Sequence, residues 1–270
     1  MGEAISDRQV VAVLRPFVRA CGPMVDALRD ADPFGLQARG RRHEDLDGVE
    51  PKLKDKLLNG ITSVKVPGTA AWAEMSNYQR TDWWVNRVGR FTALITAIPG
   101  LGGVLADRLP IQDALGSAAQ GMLLCAIAGE YGVTDVGARV RLIAWVLFER
   151  DIDPVIAAGK HAEHDKVAED DEAAKLTEEL DDAKKKHGKI TLKAAAGTLW
   201  RLGRGLLGIV DELEKRPRGR LFHRALGKLP VVGMAGDYLA ERSGLKRVWK
   251  RAHEWFTRHP EGESPLTSRT

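Results

Sequence analysis

The 270-residue chain has little cysteine, little net charge and no long apolar run, and each shortage closes off a class of protein. Two cysteines cannot frame a disulfide-built scaffold or fill a four-cysteine zinc site. No charge-free stretch reaches the roughly 20 residues of a spanning helix. The two longest are 91–106 and 114–129, separated by Asp107, Arg108 and Asp113, whose charges would be costly at the tip of a hairpin dipped into a bilayer. They are read as buried helices. The net charge of +4 is by itself too small to mark a nucleic-acid binder. The first ten residues, MGEAISDRQV, have neither the basic start nor the apolar run of a secretory signal, so a cytoplasmic chain is expected. Met1-Gly2 with Ser6 fits the loose myristoylation pattern, but Ser6 and Gln9 read better as a helix capping box. What is present suits a globular protein: 44 % hydrophobic and 29 % charged residues exclude a disordered or collagen-like chain.

Apolar residues recur at helical intervals, and strand alternation is absent. Val10, Leu14, Phe17, Cys21, Met24 and Leu28 form one seam, and Trp84, Val88, Phe91, Ile95 and Ile98 a second. Ile111, Leu115, Ala118, Met122 and Cys125 form a third, and Val136, Val140, Ile143 and Leu147 a fourth. The longest is Leu192, Ala195, Leu199, Leu202, Leu206, Ile209 and Leu213. Each set lies on one face of an α-helix. Pro99, Pro110, Pro154 and Pro230 precede helical stretches, where proline is tolerated at the first position. Gly132 suits a helix stop with positive φ, and Thr134 suits the cap of the next helix, with Asp135 in its first turn. The stretch 111–128 is apolar nearly all round, as a central helix would be.

The expected fold is all-α, a multi-helix bundle with a buried central helix and a charged insertion. Residues 1–68 hold an N-terminal helix and an irregular charged segment, and 69–162 an apolar helical core. Residues 163–188 carry ten acids before Lys184, Lys185 and Lys186, and read as an acidic linker or insertion. Basic helices over 189–258 pack back on the core, and 259–270 reads as a disordered tail.

Four segments carry a family likeness. Ala97-Ile98-Pro99-Gly100-Leu101 is followed by Ala106-Asp107-Arg108-Leu109-Pro110, then by Ile127 through Tyr131-Gly132, then by Leu229-Pro230-Val231-Val232-Gly233. This order resembles the EcsC family of bacterial proteins, over roughly residues 70–258. The family commonly has an asparagine after the last motif, where this chain has Asp237. The resemblance implies a helical bacterial protein working near a membrane or a transport system. It implies structural roles for Pro99, Gly100, Asp107, Pro110, Tyr131, Gly132, Pro230 and Gly233, and it supplies no catalytic residues.

The constellations that carry chemistry are sparse. Gly203-Arg204-Gly205-Leu206-Leu207-Gly208 spells a dinucleotide fingerprint, but it interrupts a helical seam instead of joining a strand to a helix. Close helix packing explains these glycines better. His161 and His164, beside Asp165, share a helix face and are weak candidates for metal ligands, because no third ligand is evident beyond His187 or neighbouring acids. Cys21 and Cys125 lie on apolar seams and read as buried thiols. Asp107 and Asp113 read as helix-end residues.

The richest surface is the C-terminal block. Arg201, Arg204, Arg216, Arg218, Arg220, Arg224, Lys246, Lys250 and Arg251 lie among Trp249 and Trp255. Basic helices bearing tryptophan suit an anionic membrane surface, with arginines at headgroups and indoles at the interface. The competing reading is a solvated basic face whose aromatics point into the core. The expectation is a non-enzymatic protein without cofactor at the inner face of the cell membrane, meeting anionic lipid or a membrane-protein partner. Nucleic acid is the less favoured partner. A metal-dependent hydrolase using His161, His164 and Asp107 or Asp113 is the enzymatic alternative.

Overall fold

The computed structural model describes residues 5–30, 65–97, 111–214 and 234–259. Of 234–242 only the backbone is described. Pro99, Gly100, Asp107, Pro110, Arg216, Arg218, Arg220, Arg224, Pro230 and Gly233 lie outside the described residues, as do most of the charged segment after the first helix and the residues beyond 259.

Among the described residues all regular structure is helical. In chain order the helices are α1 (Asp7–Arg29), α2 (Ala70–Ala73), α3 (Asn77–Ala97), α4 (Ile111–Glu130), α5 (Val136–Phe148), α6 (Pro154–Ala157), α7 (Lys166–His187), α8 (Leu192–Glu214) and α9 (Met234–Arg258). The chain is thus an all-α multi-helix bundle. α4 is its centre, packing on α8, α3, α1, α5 and α9. α7 lies on one flank against α1 and α8, and α9 lies against α3, α5 and α4.

The seams drive this arrangement. Val10, Leu14, Phe17, Cys21, Met24 and Leu28 are all buried, as are Trp84, Val88, Phe91 and Ile95. Leu192 through Ile209 bury every seam position, and Leu213 packs at the edge. Burying one such aliphatic side chain contributes about 1.5–3 kcal/mol. α4 buries nearly everything from Ala114 to Ala128 except Gly116 and Gln120.

Two glycines set the distance between helices. A Cβ on Gly203 in α8 would overlap the backbone carbonyl of Ala114 in α4. A Cβ on Gly121 in α4 would overlap the ring of Phe17 in α1. The apparent dinucleotide string therefore lies within α8, and its first glycine serves helix packing.

Local signals set the ends. Ser6 and Gln9 form the capping box of α1: the Gln9 amide donates to Ser6 Oγ at 3.3 Å, and the Ser6 amide to Gln9 Oε1 at 2.7 Å. Pro154 opens α6, and Gly132 has φ 76° after α4. The cap of α5 departs from expectation by one residue. Asp135, not Thr134, accepts the Ala138 amide at 2.8 Å, since a carboxylate is the stronger acceptor.

The acidic stretch read as a linker or insertion is the two-ended helix α7. It is capped by Asp165 and closed by Gly188 at φ 70°. Most of it is exposed, but Glu169, Ala173, Leu180 and Ala183 form a buried stripe. No helix among the described residues is long and apolar enough to cross a membrane.

Candidate functional site

Among the described residues, the C-terminal block divides into cations paired with an acid and cations without an ion pair. Arg201 Nη1 lies 2.5 Å from Glu179 Oε1, across from α7. Arg251 meets Glu149 at 3.3 Å, donates to the Trp145 carbonyl and stands over the Trp145 ring with Arg258. Lys246, Arg247 and Lys250 are different. They project from the outer face of α9, exposed and without an ion pair among the described residues. Arg204 is likewise exposed and unpaired on α8.

The aromatics do not accompany this face. Trp255 is 2 % exposed and Phe256 7 %, both in the core. Phe256 stacks on Tyr131 with ring centroids 4.3 Å apart. Trp249 is partly buried, 6.0 Å from the same tyrosine ring. Trp200 is buried in α8. The interfacial role expected for Trp255 is therefore corrected. Its position, three after Ala252 and seven after Val248, puts it on the buried side of α9. Tyr131, one of the motif residues, seats α9 on the end of α4.

A second site lies where α1 meets the turn before α7. Glu169 is its hub. Arg15 Nε sits 2.5 Å from Glu169 Oε2, Arg19 Nη1 lies 3.0 Å from Oε1, and His164 Nε2 is 3.3 Å from Oε2. Arg15 also donates to the Ala157 carbonyl at 2.8 Å, and Arg19 reaches Asp170 at 2.5 Å. Burial pushes the Glu169 carboxyl up, but the hydrogen bonds and charges of Arg15 and Arg19 outweigh it and hold the group below its usual range. Arg19 likewise lowers Asp170. Gly159, at φ 67°, packs under this cluster: a Cβ there would sit 2.9 Å from His164 Nε2 and 3.0 Å from Arg15 Cζ.

Beside this cluster opens a cleft of about 300 Å³, with His161, His164, Glu163 and Glu172 in its wall and Ala12 and Pro16 of α1 opposite. The His161 and His164 ring centroids are 5.7 Å apart. Glu163 is engaged by Arg8.

The structure thus brings the two histidines together, beside an acid that spacing alone did not mark. Neither His187 nor the aspartates of the hydrolase alternative joins them among the described residues. His187 closes the far end of α7, roughly 30 Å away at 1.5 Å per residue. Asp113 is an exposed first-turn residue of α4, and Asp107 lies outside the described residues. Among the described residues no three His, Cys, Asp or Glu side chains form a metal-ligand group. Cys21 and Cys125 are buried, and burial, with the hydrogen bond to Cys125, pushes the Cys21 thiol well up. Such a thiol is a poor nucleophile.

Comparison with known proteins finds no match among family models, curated proteins or solved structures.

Proposed function

We propose that this chain is a non-enzymatic, EcsC-like helical protein that binds an anionic membrane surface peripherally and serves a transport or envelope process at the inner face of the cell membrane. The observation that carries the reading is the outer face of α9. Lys246, Arg247 and Lys250 stand exposed there and have no ion pair among the described residues, while Arg8, Arg15, Arg19, Arg150, Arg201 and Arg251 are each matched to an acid. Unpaired cations clustered on one helix face favour an anionic partner, at about 1 kcal/mol per residue near a charged bilayer.

The burial of Trp255 and Phe256 gives this reading its mode. Binding rests on charge, without insertion of indole rings, so it weakens steeply with salt. The Glu169 hub is neutralised by two arginines, and neither thiol is exposed to act.

Cell fractionation tests the proposal. The wild-type chain is expected in the membrane fraction at low salt and in the supernatant after a high-salt wash. A K246E/R247E/K250E variant of unchanged helicity is expected in the supernatant throughout. A membrane fraction that resists both the wash and the triple substitution overturns the proposal. So does a salt-sensitive sediment that nuclease treatment releases, since the partner would then be nucleic acid.

A further inference from the structure

We propose that the cleft between α1 and the turn before α7 binds a divalent transition-metal cation through the imidazoles of His161 and His164. This inference is independent of the membrane reading, since it uses none of the α9 residues.

Three features of the cleft argue for it. First, the rings are close to a shared-ligand placement. A metal–nitrogen bond of about 2.1 Å puts two imidazoles on one tetrahedral ion with centroids roughly 5 Å apart. Here they stand at 5.7 Å. Second, His164 has the outer-sphere partner that metal-bound histidines use. Its Nε2 lies 3.3 Å from Glu169, a carboxylate that Arg15 and Arg19 hold in place. With Nε2 facing that carboxylate, Nδ1 is the ring nitrogen left for a cation. Third, His161 Nδ1 is out of contact with solvent and has no hydrogen-bond partner. A buried ring nitrogen without a partner is costly unless something meets it.

The surroundings select the charge and class of the occupant. Of the acids that line the cleft, Glu163 is paired with Arg8 and Glu169 with Arg15 and Arg19, which leaves Asp165 and Glu172 as the acids without an arginine to face a cation. Imidazole nitrogen favours zinc, copper, nickel or cobalt over magnesium or calcium. The chain supplies two ligands and water the others, which makes this an open, exchangeable site and not a structural one.

The test uses the full chain without a histidine tag, titrated calorimetrically with Zn²⁺. One equivalent is expected to bind with micromolar affinity, and a large excess of Mg²⁺ should not displace it. H161A and H164A, each checked by circular dichroism for unchanged helicity, should each weaken binding about tenfold or more. E169Q, checked for helicity in the same way, removes the carboxylate charge beside His164 Nε2 and should weaken binding about tenfold with both ligands still present. With Cu²⁺ the electron paramagnetic resonance spectrum should show nitrogen coupling that both histidine substitutions reduce. Binding only at millimolar Zn²⁺, or binding that the H161A/H164A double variant retains in full, would mean an adventitious ion only and overturns the proposal.

Discussion

Single side chains decide how this bundle closes. Gly203 is the tightest point, because a methyl group there meets the Ala114 backbone, which cannot rotate away. Gly203→Ala should therefore cost about 1–3 kcal/mol and lower the thermal midpoint by several degrees. Gly208→Ala in the same helix faces open space and should be neutral or stabilising. A scan in which the two behave alike would contradict the packing role. Glu169 makes a different prediction. Its removal leaves Arg15 almost buried and unpaired, so Glu169→Gln should cost about 3 kcal/mol at pH 7. The folded carboxyl binds its proton less readily than an unfolded glutamate, whose pKa is about 4.3. The unfolded chain thus takes up the extra proton first as the medium is acidified. The contribution is whole above that value and disappears as pH falls through the lower folded value. Denaturant titrations of the two proteins should converge as the pH falls below about 4.3, and a gap that stays constant with pH would deny the charge its role. Sequence reading reached neither partner. Arg15 and Arg19 lie some 150 residues before Glu169, a pairing that only the packing of α7 on α1 creates.

At the scale of elements, legibility tracked hydrophobic spacing. The seams of α1, α3, α4, α5 and α8 are visible as periods, and their described members are buried or, at Val136 and Leu213, packed against the core. α7 was harder, because its apolar stripe is thin: Ala173, Leu180 and Ala183 among acids and lysines. Its eight carboxylates suggest a linker or insertion, and charge content conceals a stripe worth few methyl groups. The helix nevertheless divides sharply into two faces. Leu180→Ala should cost about 2–4 kcal/mol, while Asp182→Ala on the exposed side should change stability by less than about 0.5 kcal/mol. Equal, small effects in chemical denaturation would return α7 to the status of a linker. On α9 the error ran the other way. Residue type suggested an interfacial Trp255, while its spacing from Val248 and Ala252 already turned it inward. Where type and period disagreed, period described the fold.

The whole molecule is polarised in charge. The acidic outer face of α7 and the basic outer face of α9 belong to different flanks of a core centred on α4. A net charge of +4 conceals this separation, because the two faces nearly cancel. The apolar interior is continuous enough to silence both thiols. Ellman's reagent should therefore leave Cys21 and Cys125 unmodified in native protein and titrate both once the chain is unfolded. Rapid labelling of either under native conditions would place it nearer solvent than the packing allows. The central claim, that the free cations of α9 hold the protein to an anionic bilayer by charge alone, is most directly tested by vesicle flotation. At low salt the chain should float with phosphatidylglycerol-containing vesicles, remain below with purely phosphatidylcholine vesicles, and be released at 0.5 M salt, where the screening length falls to about 4 Å. Equal flotation with both lipids, or none with either, would contradict it.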